Sequence, residues 1–211
     1  QCKVCKSSIT ISFKNNSLWK SFLPPWINII LHSGEKSIEA PILGEGGSFG
    51  KIYKVRWIRN NKNYAMKILN LKYIEDIEDT QKKLKIVYDF CEKTKCNGII
   101  KTYGSLYEKT GLEEYKYYIL MELAQTDWEE EIKYRNKHNL YYSEEEIFDM
   151  IRQLVQCYAL LQKNNVSHRD VKPQNILLLN GLYKVCDFGE ARIISGKNGY
   201  IHQPIIGSEL Y

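Results

Sequence analysis

His168-Arg169-Asp170-Val171-Lys172-Pro173-Gln174-Asn175, followed across a hairpin by Asp187-Phe188-Gly189, is the stretch on which the reading of this chain turns. Between the two, Ile176 to Leu179 and Tyr183 to Cys186 read as short strands joined at Asn180-Gly181, a dipeptide that suits a tight hairpin because both residues accept positive φ. The acids, the lysine and the asparagine are thereby carried on loops at strand ends, where they can converge. Carboxylate and amide oxygens are hard ligands, and Mg2+ takes such ligands while keeping positions for phosphate oxygens. The pattern points to a metal-bound phosphate.

Outward toward the N-terminus, Ser143 stands before Glu144, Glu145 and Glu146. A serine oxygen at the N-cap with a glutamate at N3 forms a capping box, and acids favour the positive end of the helix dipole. A long helix is predicted from there. Ile147, Ile151, Leu154, Tyr158 and Leu161 recur as one apolar stripe that should bury against a neighbour, and Asn164-Asn165 ends the helix. Further out, an apolar entry at Ile42 and Leu43 leads into a glycine cluster (Gly44, Gly46, Gly47, Gly50). Strand-like runs Ile52 to Ile58 and Tyr64 to Leu69 then flank the turn Arg59-Asn60-Asn61-Lys62. A Lys-rich helix is predicted over about residues 74–91, and runs at 99–107 and 115–123 read as strands around Gly111. Strands dominate the first half and helices the second, so the class is α+β. Residues 1–38 carry little pattern beyond the alternation of Ile9, Ile11 and Phe13 and a Pro24-Pro25 break; they read as an upstream segment and linker.

The chain has 211 residues, 44% hydrophobic and 26% charged, with 13 glycines and 5 prolines, which excludes a disordered or collagenous polypeptide and several large domains. A formal charge of +5 suits phosphate-bearing or acidic partners without requiring them. No run of about 18 apolar residues occurs, so no membrane span is expected, and no nucleic-acid partner is expected either. The six cysteines (Cys2, Cys5, Cys91, Cys96, Cys157, Cys186) are scattered in a manner that suits a reducing compartment, the cytosol or nucleus. Cys2 and Cys5 have the spacing of half a zinc knuckle, but no second pair follows to complete four ligands. Gln1 in place of Met and an end at Tyr211 within a functional loop suggest a piece of a longer protein.

On the residues at 168–175 and 187–189, the chain from about Ile42 to Tyr211 resembles the eukaryotic protein kinases. The resemblance implies a two-lobed kinase-like fold over residues 39–211: a complete small antiparallel β lobe (39–123), a hinge (122–127) and a partial helical large lobe (128–211) that stops before an Ala-Pro-Glu motif. It implies ATP and Mg2+ as cofactors and a protein Ser or Thr hydroxyl as acceptor, with Lys172 the mark of Ser/Thr-directed enzymes. By resemblance Asp170 accepts or orients the hydroxyl proton, Lys172 neutralises the transferring phosphoryl group, Asn175 and Asp187 hold Mg2+, and His168 and Phe188 pack beneath them. Tyr64-Ala65-Met66-Lys67 looks like the strand whose Lys67 pairs with the α- and β-phosphates, with Ala65 leaving room above the adenine.

Leu43, Gly44, Gly46, Gly47 and Gly50 look like a phosphate-covering loop, and Ile52 would lie over the adenine. The spacing departs from the family by one residue. Keeping Gly44 and Gly46 implies an insertion before Gly50, whereas keeping Gly47 and Gly50 puts Glu45 where the first glycine belongs. Met121 would be the gatekeeper, backbone groups of Glu122 and Ala124 would meet the adenine edge, Asp127 the ribose, and Leu177 the ring from below. The helix glutamate that partners the strand lysine is unassigned: either Glu78 or Glu75 serves, or the pairing is absent. Arg169 beside Asp170 suggests control by a phosphate placed on Ser195 or Tyr200 by an activating kinase or by autophosphorylation, with Ser208 in the place of a structural Thr. Two rival readings stand beside the enzyme: a catalytically impaired pseudokinase or scaffold, favoured by the altered glycine loop and missing glutamate, and a small-molecule kinase of related fold.

Overall fold

The computed structural model describes residues 8–13, 27–32, 50–57 and 61–194. The chain divides into two compact units, Gln1–Ile77 with Lys101–Leu123 and Glu78–Ile100 with Ala124–Tyr211.

The first unit is built on a six-stranded sheet, every neighbouring pair antiparallel. Its strands are β1 (Ser8–Phe13), β2 (Ile27–His32), β3 (Lys51–Trp57), β4 (Lys62–Leu71), β5 (Thr102–Lys109) and β6 (Tyr115–Met121), in the order β1-β2-β3-β4-β6-β5. Aromatic and β-branched residues dominate β3 and β6, as strands that bury a face require. One face carries the core: Val55, Tyr64, Met66, Tyr118 and Leu120 are buried together, with Tyr53, Ile68, Tyr103 and Leu106 packed on them. Tyr64 and Tyr103 meet edge to face, centroids 5.2 Å apart. The segment read from sequence as an upstream linker instead supplies β1 and β2, and β2 pairs with β3 through Ile29–Trp57, Ile30–Arg56 and Leu31–Val55. The alternation at Ile9, Ile11 and Phe13 was a strand signal. It is too short for alternation alone to tell a sheet edge from an extended linker.

Helix α1 (Ile74–Thr94) starts in the first unit, and from Glu78 onward belongs to the second. Val87 and Phe90 explain that assignment, because they are buried in the second core with Ile99, Cys157, Leu161, Val166, Val185, Phe188 and Ala191. Each such side chain contributes about 1.5–3 kcal/mol on burial. This unit also holds β7 (Thr126–Asp127), α2 (Trp128–Lys137), α3 (Glu144–Lys163), β8 (Val166–Ser167), β9 (Ile176–Leu179), β10 (Leu182–Val185) and β11 (Arg192–Ile193). The small sheets are β10-β9-β7 and β11-β8.

The capping box opens α3: the Glu146 N–H donates to Ser143 Oγ at 3.2 Å, and the Ser143 N–H to Glu146 Oε2 at 2.7 Å. Arg135 ties α2 to this helix end, donating to Glu131 at 2.7 Å and Glu146 at 2.8 Å while its guanidinium lies 4.0 Å over the Tyr142 ring. The buried stripe of α3 is Met150, Cys157 and Leu161, with Leu154 packed beside them. That is a rotation from the stripe read in sequence, since Ile147 and Ile151 are exposed along with Phe148 and Val155. Among the described residues, no helix is long and apolar enough to cross a membrane.

Candidate active site

The loop 168–175 hangs between two anchors. Before it, β8 pairs with β11 through Ser167–Arg192 and Val166–Ile193, returning the chain beyond Asp187 to the loop's start. After it, Pro173–Asn175 closes a single 3-10 turn, with the Asn175 N–H on the Lys172 carbonyl at 2.9 Å. Proline suits that start because it fixes φ and has no N–H to leave unpaired.

His168, only 3% exposed, joins the loop to the end of β10. Its Nδ1 receives the Asp170 N–H at 3.2 Å, so that nitrogen is an acceptor and the proton sits on Nε2, which donates to the Cys186 carbonyl at 2.8 Å. The ring is therefore neutral. Burial pushes its pKa below the ordinary histidine range; the hydrogen bond to Cys186 and the neighbouring acids Asp187 and Asp170 oppose that only in part. Phe188 lies edge-on to the imidazole at 4.6 Å between centroids.

Asn175 is buried, and its amide nitrogen donates to the Asp170 carbonyl at 2.9 Å and to Asp170 Oδ2 at 2.8 Å. Both amide hydrogens are thus turned to Asp170, and the amide oxygen is the atom left to act as a ligand. Lys172 Nζ sits 3.0 Å from the same Oδ2. The Cys186 N–H bonds to the Asn175 carbonyl at 2.9 Å, setting Asp187 next to this cluster in the chain. Asp187 has φ 56° and ψ 70°, and Arg169 has φ 69°, both left-handed. Four of the other positive-φ residues are asparagines, for which the conformation is cheap; an arginine held there marks a backbone constrained by its surroundings. A Cβ on Gly189 would lie 3.3 Å from Asp187 Oδ1, so glycine keeps the space around that carboxylate open.

In the first unit, strand register collects the sequence-predicted residues on one face. Ile52 pairs with Lys67, and Lys67 with Ile119; Ala65 pairs with Met121. Opposed and alternate residues share a face, so Ile52, Ala65, Lys67 and Met121 lie together, on the face away from Met66 and Leu120. Gly50 has φ 116°, and a Cβ there would collide with the Ile68 carbonyl oxygen, so glycine is required by the sheet itself. The Glu122 N–H donates to the Lys101 carbonyl at 2.9 Å, so that backbone donor is already used within the sheet end. Glu75 and Glu78 stand in the first turns of α1, both exposed. Leu43, Gly44, Gly46, Gly47, Ser195, Tyr200 and Ser208 lie outside the described residues.

Ala124 follows β6 in the second unit, and Leu177 on β9 pairs with Asp127 on β7. Asp127 has a structural task that the sequence reading missed: its Oδ1 caps α2, accepting from the Glu130 N–H at 2.9 Å, while burial raises its pKa. Its second oxygen is the one that could meet a sugar hydroxyl. Asp127 followed by Glu129, Glu130 and Glu131 is a helix-start signal that could have revealed α2. Gln174, also missed, donates to Glu129 at 2.7 Å and ties the catalytic-loop region to α2.

The donors fit Mg2+, which is typically held by one or two carboxylates together with substrate phosphates rather than by an all-protein cage. Asp187 and the Asn175 amide oxygen supply that partial set, and among the described residues no cluster of three or more His, Cys, Asp or Glu forms a separate metal site.

The family model described as Protein kinase domain matches residues 38–211. Serine/threonine-protein kinase TIO of Arabidopsis thaliana is 32% identical over 173 residues, 81% of this chain and 12% of that protein. Serine/threonine-protein kinase TAO2 of Xenopus laevis is 32% identical over 159 residues, 75% of this chain and 15% of that protein. Calcium-dependent protein kinase 4 of Plasmodium falciparum is 28% identical over 193 residues, 88% of this chain and 34% of that protein. The chain thus spans between 12% and 34% of the length of these relatives.

Proposed function

Because the chain belongs to the protein kinase domain family, we propose that it transfers the terminal phosphoryl group of ATP to serine or threonine hydroxyls of a protein substrate. The observation that carries this reading is the arrangement around Asp170: one carboxylate oxygen held by both Asn175 and Lys172, with the backbone N–H of the same residue held by His168. Phosphoryl transfer needs little covalent help from the protein and much positioning and charge neutralisation. The substrate oxygen bonds to phosphorus as its hydrogen passes toward Asp170, and the bond to the ADP oxygen breaks. Lys172 brings positive charge beside Asp170 for the oxygens of the transferring group. Asn175 and Asp187 would hold Mg2+, which when bound neutralises phosphate charge. Lys67, on the face it shares with Ile52, Ala65 and Met121, would hold the α- and β-phosphates while that face covers the adenine.

Lys172 and the names of the relatives support serine and threonine as acceptors. Arg169 would receive a phosphate placed on the segment after Ile194, by another kinase or by the protein itself.

Radiolabelled ATP with a mixed Ser/Thr protein substrate tests the reading. Wild-type protein should label the substrate, and Asp170→Asn should lose about 100- to 10,000-fold in rate while still binding nucleotide. Equal transfer by the two proteins would remove Asp170 from its role, and nucleotide binding without transfer by the wild type would favour a scaffold.

A further inference from the structure

Three cysteines that phosphoryl transfer does not use gather in the second unit. Cys157, on α3, is 2% exposed; Cys96, in the segment after α1, and Cys91, on the last turns of α1, are half-buried. Cys96 Sγ and Cys157 Sγ lie 4.0 Å apart across a separation of 61 residues. Gly98 makes this approach possible. A Cβ there would stand 2.9 Å from the Cys157 Cβ and 3.2 Å from its Sγ, so any side chain at 98 would push α3 away from the Cys96 segment. The segment is otherwise tied down, since the Val185 N–H bonds to the Gly98 carbonyl at 2.8 Å and the Ile100 N–H to the Val185 carbonyl at 3.0 Å. The sulfurs therefore face each other on fixed backbone, and side-chain rotation is the motion that would close the remaining gap to bonding distance, about 2 Å.

We propose that Cys96 and Cys157 form a peroxide-oxidisable dithiol, with Cys96 as the attacking thiolate and Cys157 as the resolving thiol.

The asymmetry of the pair assigns the roles. Cys96 is the less buried of the two, and the contact with the Cys157 sulfur first, then the Gly98 N–H and the nearby Lys184 cation, bring its pKa down to about 6 against the opposing effect of burial. Cys157 donates its S–H to the Gly98 carbonyl at 3.4 Å, and the Cys96 contact and burial push its pKa up, so it keeps its proton. Cys91 is raised to about 11, chiefly by burial, with the Cys96 and Glu92 charges adding to it and Lys184 opposing. In the reaction, Cys96 attacks hydrogen peroxide and the O–O bond breaks; one oxygen stays on Cys96 as a sulfenic acid and the other leaves as water. Cys157 then attacks that sulfur, the S–S bond forms, and the sulfenic oxygen departs as a second water with the Cys157 proton. Each sulfur loses one electron and the peroxide gains both. The bond would fasten the segment after α1 to α3.

The test treats the protein with hydrogen peroxide, blocks the remaining thiols and maps cross-linked peptides by mass spectrometry. A Cys96–Cys157 link that dithiothreitol reverses is expected. Cys91→Ser should leave its yield unchanged. Cys96→Ser should abolish both the link and any sulfenic adduct at Cys157, and Cys157→Ser should leave a dimedone-trappable sulfenic acid on Cys96. A Cys91–Cys96 link, or unlinked over-oxidised thiols alone, would overturn the proposal. A second measurement needs no variant: at pH 7 iodoacetamide should label Cys96 about tenfold faster than Cys91, because the larger thiolate fraction outweighs the weaker nucleophilicity of a low-pKa sulfur. Equal labelling rates would count against Cys96 as the attacking group. The oxidised protein should also melt at higher temperature than the reduced one, as closure of a long loop requires.

Discussion

Each compact unit gathers its own set of candidate residues, and the two sets are organised by different physics. On the sheet of the first unit, Ile52, Ala65, Lys67 and Met121 share a face because antiparallel register puts them there. In the loop 168–175 of the second unit, position comes from side chains. His168 grips the Asp170 N–H and the Cys186 carbonyl, and Asn175 grips Asp170 twice. Backbone pairing supplies a scaffold indifferent to the identity of the working residue, whereas a side-chain network makes function and folding depend on the same atoms. Substitutions should therefore separate activity from stability in the sheet and couple them in the loop.

The widest effect expected is Lys67→Met. It should lower the rate of phosphoryl transfer by about 100- to 1,000-fold, the scale of removing one pre-placed charge, with the urea midpoint falling less than for a substitution in the loop 168–175. A large loss of stability would break the contrast. His168→Phe should do the opposite in kind: the ring volume stays, but the half-buried Asp170 N–H and Cys186 carbonyl lose the histidine, costing about 2–6 kcal/mol in urea unfolding, since each group left unsatisfied costs about 1–3. Activity should fall with it.

The same histidine gives the loop a pH signature. Its folded pKa lies below the ordinary value of about 6.5 because burial disfavours the imidazolium. The unfolded chain then binds more protons in that window, so stability should be full above about pH 6.5 and decline as pH falls through the lowered folded value. Urea midpoints of wild type should drop between neutral and mildly acidic pH, and those of His168→Phe should drop less. Parallel curves would show that His168 is not the group responsible. The smallest effect expected is Ser143→Ala, which removes the N-cap oxygen of α3 and should cost about 1 kcal/mol without a direct effect on transfer.

What could be seen in the residues follows the same division. The capping box at Ser143, the β9–β10 hairpin and the strand carrying Lys67 are coded by neighbours in sequence, so local pattern sufficed. The contacts that join Asp170, Lys172 and Asn175 were legible because the three lie within six residues of one another on a single loop. The pairing of β2 with β3 was hidden, since a strand's own pattern does not name the strand it pairs with. The buried stripe of α3 was mis-rotated because several apolar residues lie on adjacent faces, and only packing chooses between them. Asp127 was read for one carboxylate oxygen while the other was committed to a cap. The Cys96–Cys157 approach was beyond sequence altogether, depending on a glycine two residues away.

The imidazole of His168 has one further consequence. Asparagine and glutamine also own an acceptor and a donor, but they present both at the tip of a single swivelling amide. A histidine ring displays them on divergent edges of a rigid plane. The ring can therefore bridge the start of this loop and the strand end before Asp187 in a way a swivelling amide cannot, so neither His168→Asn nor His168→Gln should restore both contacts.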